Sequence, residues 1–313
     1  FQRPHEPITP APEHFDLYDP DKLSLPDSAV DYFERRFAGK PQFMQDYMNR
    51  GGEYPLADPD SNRLRRCLAS YYALVTAIDS EIGRVLDQLE KAGELENTII
   101  LYTADHGDFA GDHGIFHKNF GIYESIHHIP WLLSWPGGAA GTVSDAIVES
   151  VDWYTTCSHL CGVPLPDGRE GVDITDRDFT GKEAAWCEWD WGESGKISAV
   201  RTPEHRLVFY DHETGGELYD HRSDPGEIDN LWDDPASADV RRELTERLLT
   251  FTMKYQPTTD MKHDRRLNQE QKYSPTHLVH KKQRWWRELK HAYERETRWP
   301  ATEDRAHRQS ETE

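Results

Sequence analysis

Thr98-Ile-Ile-Leu-Tyr-Thr-Ala-Asp-His-Gly-Asp-Phe-Ala-Gly-Asp-His-Gly-Ile-Phe-His-Lys118 carries the strongest structural signal in the chain. Its first six residues are apolar or β-branched without alternation, which suits a short strand buried on both faces. Asp105 and His106 follow just past the carboxyl end of that strand, where open α/β sheets place their ligands. Gly107, Gly111 and Gly114 permit the tight backbone path of a ligand-wrapping loop. An adjacent carboxylate and imidazole can both bind one divalent cation, and Lys118, thirteen positions after Asp105, can return to hold an anion over it. The competing reading is a turn with a capping Asp and surface histidines. Asp-His-Gly alone would support that reading, whereas Gly-Asp-His-Gly and a closing Lys after it make the arrangement more specific.

Working outward, Asn62 to Ala92 predicts a long helix. Leu64, Cys67, Leu68, Tyr71, Val75, Ile78, Ile82, Val85, Leu86 and Leu89 keep helical spacing, with Asp60 or Ser61 as cap and Gly93 as stop. Ile129 to Trp135 predicts a second buried strand, so the alternation points to an α/β class with a mostly parallel, helix-covered sheet. Residues 152–161 read as a helix ended by Gly162 and Pro164. From Trp186 the pattern changes to Ile197–Thr202, Arg206–Tyr210, a turn over Glu213–Gly216, and Glu217–Tyr219, which suggests a small antiparallel sheet. Asp239 to Tyr255 predicts a helix packing on that sheet through Val240, Leu244, Leu248 and Phe251. Repeated Pro makes residues 1–60 a long ordered loop. Beyond Pro257 the chain is highly charged; one helix docked through Trp286, Leu289 and Tyr293 is expected there, with the last dozen residues disordered. The expected divisions are 1–185, 186–256 and 257–313.

The 313 residues hold 57 Asp and Glu against 36 Lys and Arg, a formal net charge of -21. Such a surface repels nucleic acid and anionic membranes, and neither is an expected partner. The same acidity, with a mean hydropathy of -0.85, is compatible with adaptation to high salt. Ten Trp and fourteen Tyr argue for a folded chain rather than a disordered one. Cys67, Cys157, Cys161 and Cys187 form no CxxC pair and read as small buried groups. No stretch approaches the length of a membrane span. Phe1 opens the chain with neither Met nor a signal-like segment, so a start within a longer protein is expected, and localisation and oligomeric state stay open.

The stretch Ser70–Gly138 resembles the second half of a sulfatase, within the alkaline phosphatase superfamily. The resemblance runs back to Arg3-Pro-His-Glu-Pro7, similar to the segment with that family's second active-site histidine. It runs forward to Leu218-Tyr-Asp-His-Arg-Ser-Asp-Pro-Gly-Glu-Ile-Asp-Asn230, similar to the LYDL-x-x-DP-x-E-x-x-N signature of its C-terminal subdomain. It implies that Asp105 and His106 ligate a divalent cation, that Lys118 holds the sulfate, and that His5 contacts the sulfate and the leaving oxygen. Many sulfatases carry Asp-Asn at the first pair, and others, including phosphonate monoester hydrolase-like members, carry Asp-His. His113 and His117 lie close enough in sequence to line the pocket or to stand behind it.

The implied cation is Ca²⁺ first, with Mn²⁺ or Mg²⁺ as alternatives. The implied nucleophile is a formylglycine made from the first residue of a C/S-x-P-x-R motif, beside two further Asp ligands. None of the four cysteines begins that motif, and no Ser does. The resemblance therefore implies the C-terminal portion of a metal-dependent hydrolase of small-molecule or carbohydrate sulfate esters, inactive on its own. Alternatives are a phosphonate monoester or phosphodiester hydrolase of the same superfamily, and a metal-stabilised binding module without catalysis. A zinc hydrolase using His106, His113 and His117 is disfavoured because no HExxH is present.

Overall fold

Ser61–Ala92 forms one continuous helix, α2, where the apolar period is longest. Gly93 ends it in the left-handed region (φ +72°), with the Gly93 and Glu94 amides returning to Glu90 and Leu89 carbonyls. Leu64, Leu68, Leu74 and Ile78 are buried, whereas Val75 and Val85, expected on the core face, are 41% and 54% exposed. The structure, a computed structural model, describes residues 3–49, 61–118, 122–165, 170–190, 196–211 and 215–255. The expected docking residues Trp286, Leu289 and Tyr293 and the turn residues 212–214 lie outside these, as does Asp60.

The expected loop of residues 1–60 is, over its described part, a series of short helical turns. Pro12 and Pro20 open two of them, at the helical position where a missing N–H costs nothing. Asp31–Arg35 makes a π-turn and Gln42–Asn49 forms α1. Strand β1 spans Ile100–Thr103 and β2 spans Trp131–Ser134, separated by the short helix α3 (Glu124–His127). The sense of this pair differs from expectation: β1 and β2 run antiparallel, Leu101 opposite Leu133. Nor is the pair covered on both faces by the described residues, since Tyr102 and Leu132 are 39% and 59% exposed. Periodicity reports that a strand is apolar, not which way its neighbour runs.

Helix α4 spans Asp152–Leu160, and the later chain forms the expected antiparallel sheet. Ala185–Asp190 (β3), Lys196–Arg201 (β4), His205–Tyr210 (β5) and Gly216–Asp220 (β6) pair in sequence order, followed by α5 (Ala238–Tyr255). One face of the sheet packs Val200, Leu207 and Leu218 on Leu244 and Leu248 of α5. The other sets Ile197, Ala199 and Val208 against Ile122. A third cluster joins Tyr32, Phe37 and Met44 of the early segment to Phe109, Tyr123, Ile126 and Tyr219. This packing anchors the segment after β1 on both the N-terminal turns and the sheet. Residues 1–252 form one compact unit and 253–313 a second; a division at residue 185 is proposed on topology alone.

Candidate active site

Asp105 and His106 leave β1 side by side. The Asp105 carboxylate is 88% exposed, and its Oδ2 lies 3.6 Å from His106 Nε2. His106 Nδ1 lies 2.8 Å from the Gly107 carbonyl, which can only accept, so Nδ1 carries a proton. That leaves Nε2 as the ring atom facing the carboxylate, the arrangement in which a second hydrogen bond orients a metal-ligating imidazole. Two bonds of about 2.2 Å to one ion span about that separation. The donor set fits a divalent cation.

The loop that follows closes on itself. Phe109 N–H donates to His117 O at 2.9 Å and Gly111 N–H to Ile115 O at 2.8 Å. Asp108 Oδ1 accepts from Ala110 N–H (2.8 Å) and His117 N–H (3.0 Å), so Lys118 is returned to the base of the loop. Ala110, His113 and His117 sit at φ of 44°, 50° and 75°. Left-handed conformations in such residues cost about 1–3 kcal/mol each and persist only where the surroundings over-determine them. Gly107 is required for a different reason: a Cβ there would meet the Ser125 carbonyl oxygen at 2.0 Å. Tyr71 of α2 packs edge-on against Phe116. Burial, with the Asp108 carboxylate adding to it, pushes the Tyr71 phenol up to about 12, so it stays neutral beneath the loop.

The two further histidines have separate placements. His113 is buried; its Nδ1 is 2.7 Å from Asp31 Oδ2, its N–H donates to Ser28 Oγ, and its ring lies 4.4 Å from that of Tyr123. Lys40 lies 3.6 Å from Asp31 and donates to Tyr219 Oη. His113 is thus tied to the N-terminal turns through Ser28 and Asp31. His117 is also buried, and its Nδ1 contacts the Glu6 carboxylate. That contact brings Arg3–Pro7, the segment with His5, onto the loop that ends at Lys118. His5 is exposed and Lys118 half-buried.

A second cluster, unread in the sequence, consists of Glu124, His221 and Glu227, whose ligand atoms lie within 4.8 Å of one another. It does not suit a metal, because a fixed cation already fills it. The buried Arg206 contacts Glu124 through Nη2, and its Nε lies 2.7 Å from Glu227 Oε1, although that N–H is not aligned for a hydrogen bond. Arg201 binds Glu124 as well. The available signals were Glu227, which is the Glu of the LYDL-x-x-DP-x-E-x-x-N signature, and His221, which stands where that signature has its second Leu.

Two family profiles match. One, described as Sulfatase, covers residues 14–163, and the other, N-sulphoglucosamine sulphohydrolase, C-terminal, covers residues 111–254. The chain belongs to the sulfatase family. Within that family it is 31% identical over 241 residues to an arylsulfatase of Clostridium perfringens, covering 74% of this chain and 48% of that protein. An N-acetylglucosamine-6-O-sulfatase of Bacteroides thetaiotaomicron is 33% identical over 68% of this chain and 41% of its own length. The sulfatase chain thus spans about half the length of these curated relatives. Among solved structures, one in complex with its substrate D-glucosamine-2-N,6-O-disulfate matches with a TM-score of 0.67 at 26% identity, over 82% of this chain and 65% of the other. The phosphonate monoester hydrolase of Silicibacter pomeroyi matches with a TM-score of 0.71 at 25% identity, over 82% and 55%. The fold is that of the alkaline phosphatase superfamily, and family membership suggests a divalent metal.

Proposed function

We propose that these residues form the anion-binding and leaving-group side of a sulfatase site acting on sulfate esters of carbohydrates. The observation that supports this most directly is the closed Phe109–His117 loop, which brings the chain before Lys118 back to Asp108 and Phe109, a few residues after Asp105 and His106. Asp105 and His106 Nε2 would hold the cation, which when bound neutralises charge on the ester group and polarises it. Lys118 offers a mobile point charge suited to a sulfate oxyanion. His5 would give a proton to the departing alcohol oxygen. The formylglycine nucleophile belongs to residues outside this sequence, which contains no C/S-x-P-x-R motif. Ca²⁺ is the first choice for the carboxylate, with Mn²⁺ or Mg²⁺ as alternatives, and the imidazole weakens the case for Ca²⁺.

A carbohydrate substrate draws support from the N-acetylglucosamine-6-O-sulfatase relative and from the glucosamine disulfate complex. A second reading, hydrolysis of phosphonate monoesters, is favoured by the Asp-His pair and by the Silicibacter pomeroyi structure. The test uses the full-length protein that carries these residues. Its kcat/KM is measured on sulfate and phosphonate monoesters of one alcohol, before and after metal removal and with Ca²⁺ or Mn²⁺ restored. Higher efficiency on the sulfate, lost on chelation and regained with the ion, is the expected result. A preference for the phosphonate would select the second reading, and metal-independent turnover would remove the cation.

A further inference from the structure

Glu6 connects the segment of His5 to the loop that ends at Lys118. It follows His5 in sequence, and its carboxylate contacts His117, the residue before Lys118. The segment it belongs to is already shaped as a turn: Arg3 Nη1 donates to the His5 and Pro7 carbonyls, and Thr9 N–H donates to Pro7 O at 2.8 Å. His5 Nδ1 lies 3.2 Å from the Glu6 carbonyl, which can only accept. The ring therefore donates through Nδ1, which leaves Nε2 as the ring atom not used by that bond. On the other side, His117 is buried, held at φ 75°, and fixed through its N–H to Asp108. Glu6 thus acts twice, setting the His5 ring through its carbonyl and seating the whole turn on the Lys118 loop through its carboxylate.

We infer that Glu6 and His117 form a latch that positions His5 over the ester oxygen, making Glu6 a positioning residue for leaving-group protonation. This rests on the proton-donor role given to His5 above. As a nucleophile's bond to sulfur forms and the bond from sulfur to the alcohol oxygen breaks, the electron pair stays on that oxygen. It takes the proton of the His5 imidazolium and departs as the neutral alcohol. Displacing His5 matters most where the leaving oxygen is strongly basic, as in alkyl or sugar sulfates, and least for a good leaving group such as 4-nitrophenolate. The Glu6 carboxylate is partly exposed while His117 is buried, so the pair is half-covered and the melting temperature of each variant reports any structural cost separately from kcat/KM. A kinetic signature is therefore separable from a structural one.

The experiment compares kcat/KM for an alkyl sulfate and for 4-nitrophenyl sulfate in the full-length protein and in Glu6→Gln, His117→Gln, the double variant and His5→Ala, with the melting temperature of each. Glu6→Gln should lose about tenfold more activity on the alkyl sulfate than on the aryl sulfate, within the range of general-acid effects. His117→Gln should show the same selectivity and the double variant no further loss, because either change breaks the same contact. The Glu6→Gln melting temperature should stay within a few degrees of wild type. His5→Ala should show the steepest leaving-group dependence. A steep response in His5→Ala with equal losses on both substrates in Glu6→Gln would overturn the latch alone. A flat response in His5→Ala would remove the proton donor and the latch with it.

Discussion

Lys118 follows a loop closed by backbone hydrogen bonds and by the Asp108 carboxylate, none of which uses its ammonium, so that group should be removable without disturbing the fold. Lys118→Ala should lower sulfate-ester turnover in the full-length protein by about a hundredfold or more, the usual effect of deleting a group aimed at developing charge. The urea midpoint should not move; wild-type kinetics would make this lysine a solvated surface group. Asp105→Ala should reduce bound metal, measured by elemental analysis of the purified protein, together with activity, and unchanged metal content would refute the assignment. Gly107→Ala should cost about 1–3 kcal/mol in urea unfolding, since its Cβ and the Ser125 carbonyl cannot occupy the same space. The position of Asp105 and His106 just past β1, and of Lys118 at the end of the loop that follows, was readable because it depends on neighbours along one short stretch. The different placements of His113 and His117 were not, because Asp31 and Glu6 decide them from far along the chain.

Elements follow the same division. Helices α2, α4 and α5 and strands β4 to β6 form within a few residues of where periodicity put them, because each needs only a local pattern of apolar side chains. Their partners are another matter. The pairing sense of β1 and β2 is set by the path of Asp105–Pro130 between them, which no single-strand pattern encodes. The packing of α5 on the β3–β6 sheet was legible from Val240, Leu244, Leu248 and Phe251, and Phe251 stacks on Trp186 with ring centroids 4.4 Å apart. Leu244 is 3% exposed, so Leu244→Ala should destabilise the protein by about 2–5 kcal/mol in chemical denaturation. A loss much below about 1 kcal/mol would mean that the helix does not rest on the sheet through this residue.

Across the whole molecule, a buried ion network ties α3 to the sheet and to the turn after β6. Burial by itself would raise the Glu124 carboxyl, but hydrogen bonds from His128 and Arg201 and the charge of Arg206 hold it well below its ordinary 4.5. Glu227 is lowered in the same way: Arg206 and His221 outweigh its burial. A depressed carboxyl contributes stability that is present above its unfolded value and lost as pH falls through the folded one. Unfolding free energy should therefore fall as pH drops below about 4.5. The gap between wild type and Glu124→Gln, wide at pH 7, should narrow over the same range in urea titrations. A gap independent of pH would show that the carboxylate is not what Arg201 and Arg206 hold. On the proposed function, the 313-residue chain by itself should hydrolyse neither an aryl sulfate nor an aryl phosphate with Ca²⁺ or Mn²⁺ present, because it contains no C/S-x-P-x-R motif to supply the formylglycine of that reading. Turnover lost in Asp105→Ala would force a search for a nucleophile within it. The sequence by itself determined the order and type of the elements and the adjacency of Asp105 and His106 at the end of β1, because helical and strand periods and adjacency are local properties. Only the tertiary structure decided the direction of β1 against β2, the exposure of Val75 and Val85, and the meetings of Glu6 with His117 and of Arg206 with Glu124 and Glu227. Those depend on which distant segments approach one another once the apolar faces are buried, and no local pattern carries that information.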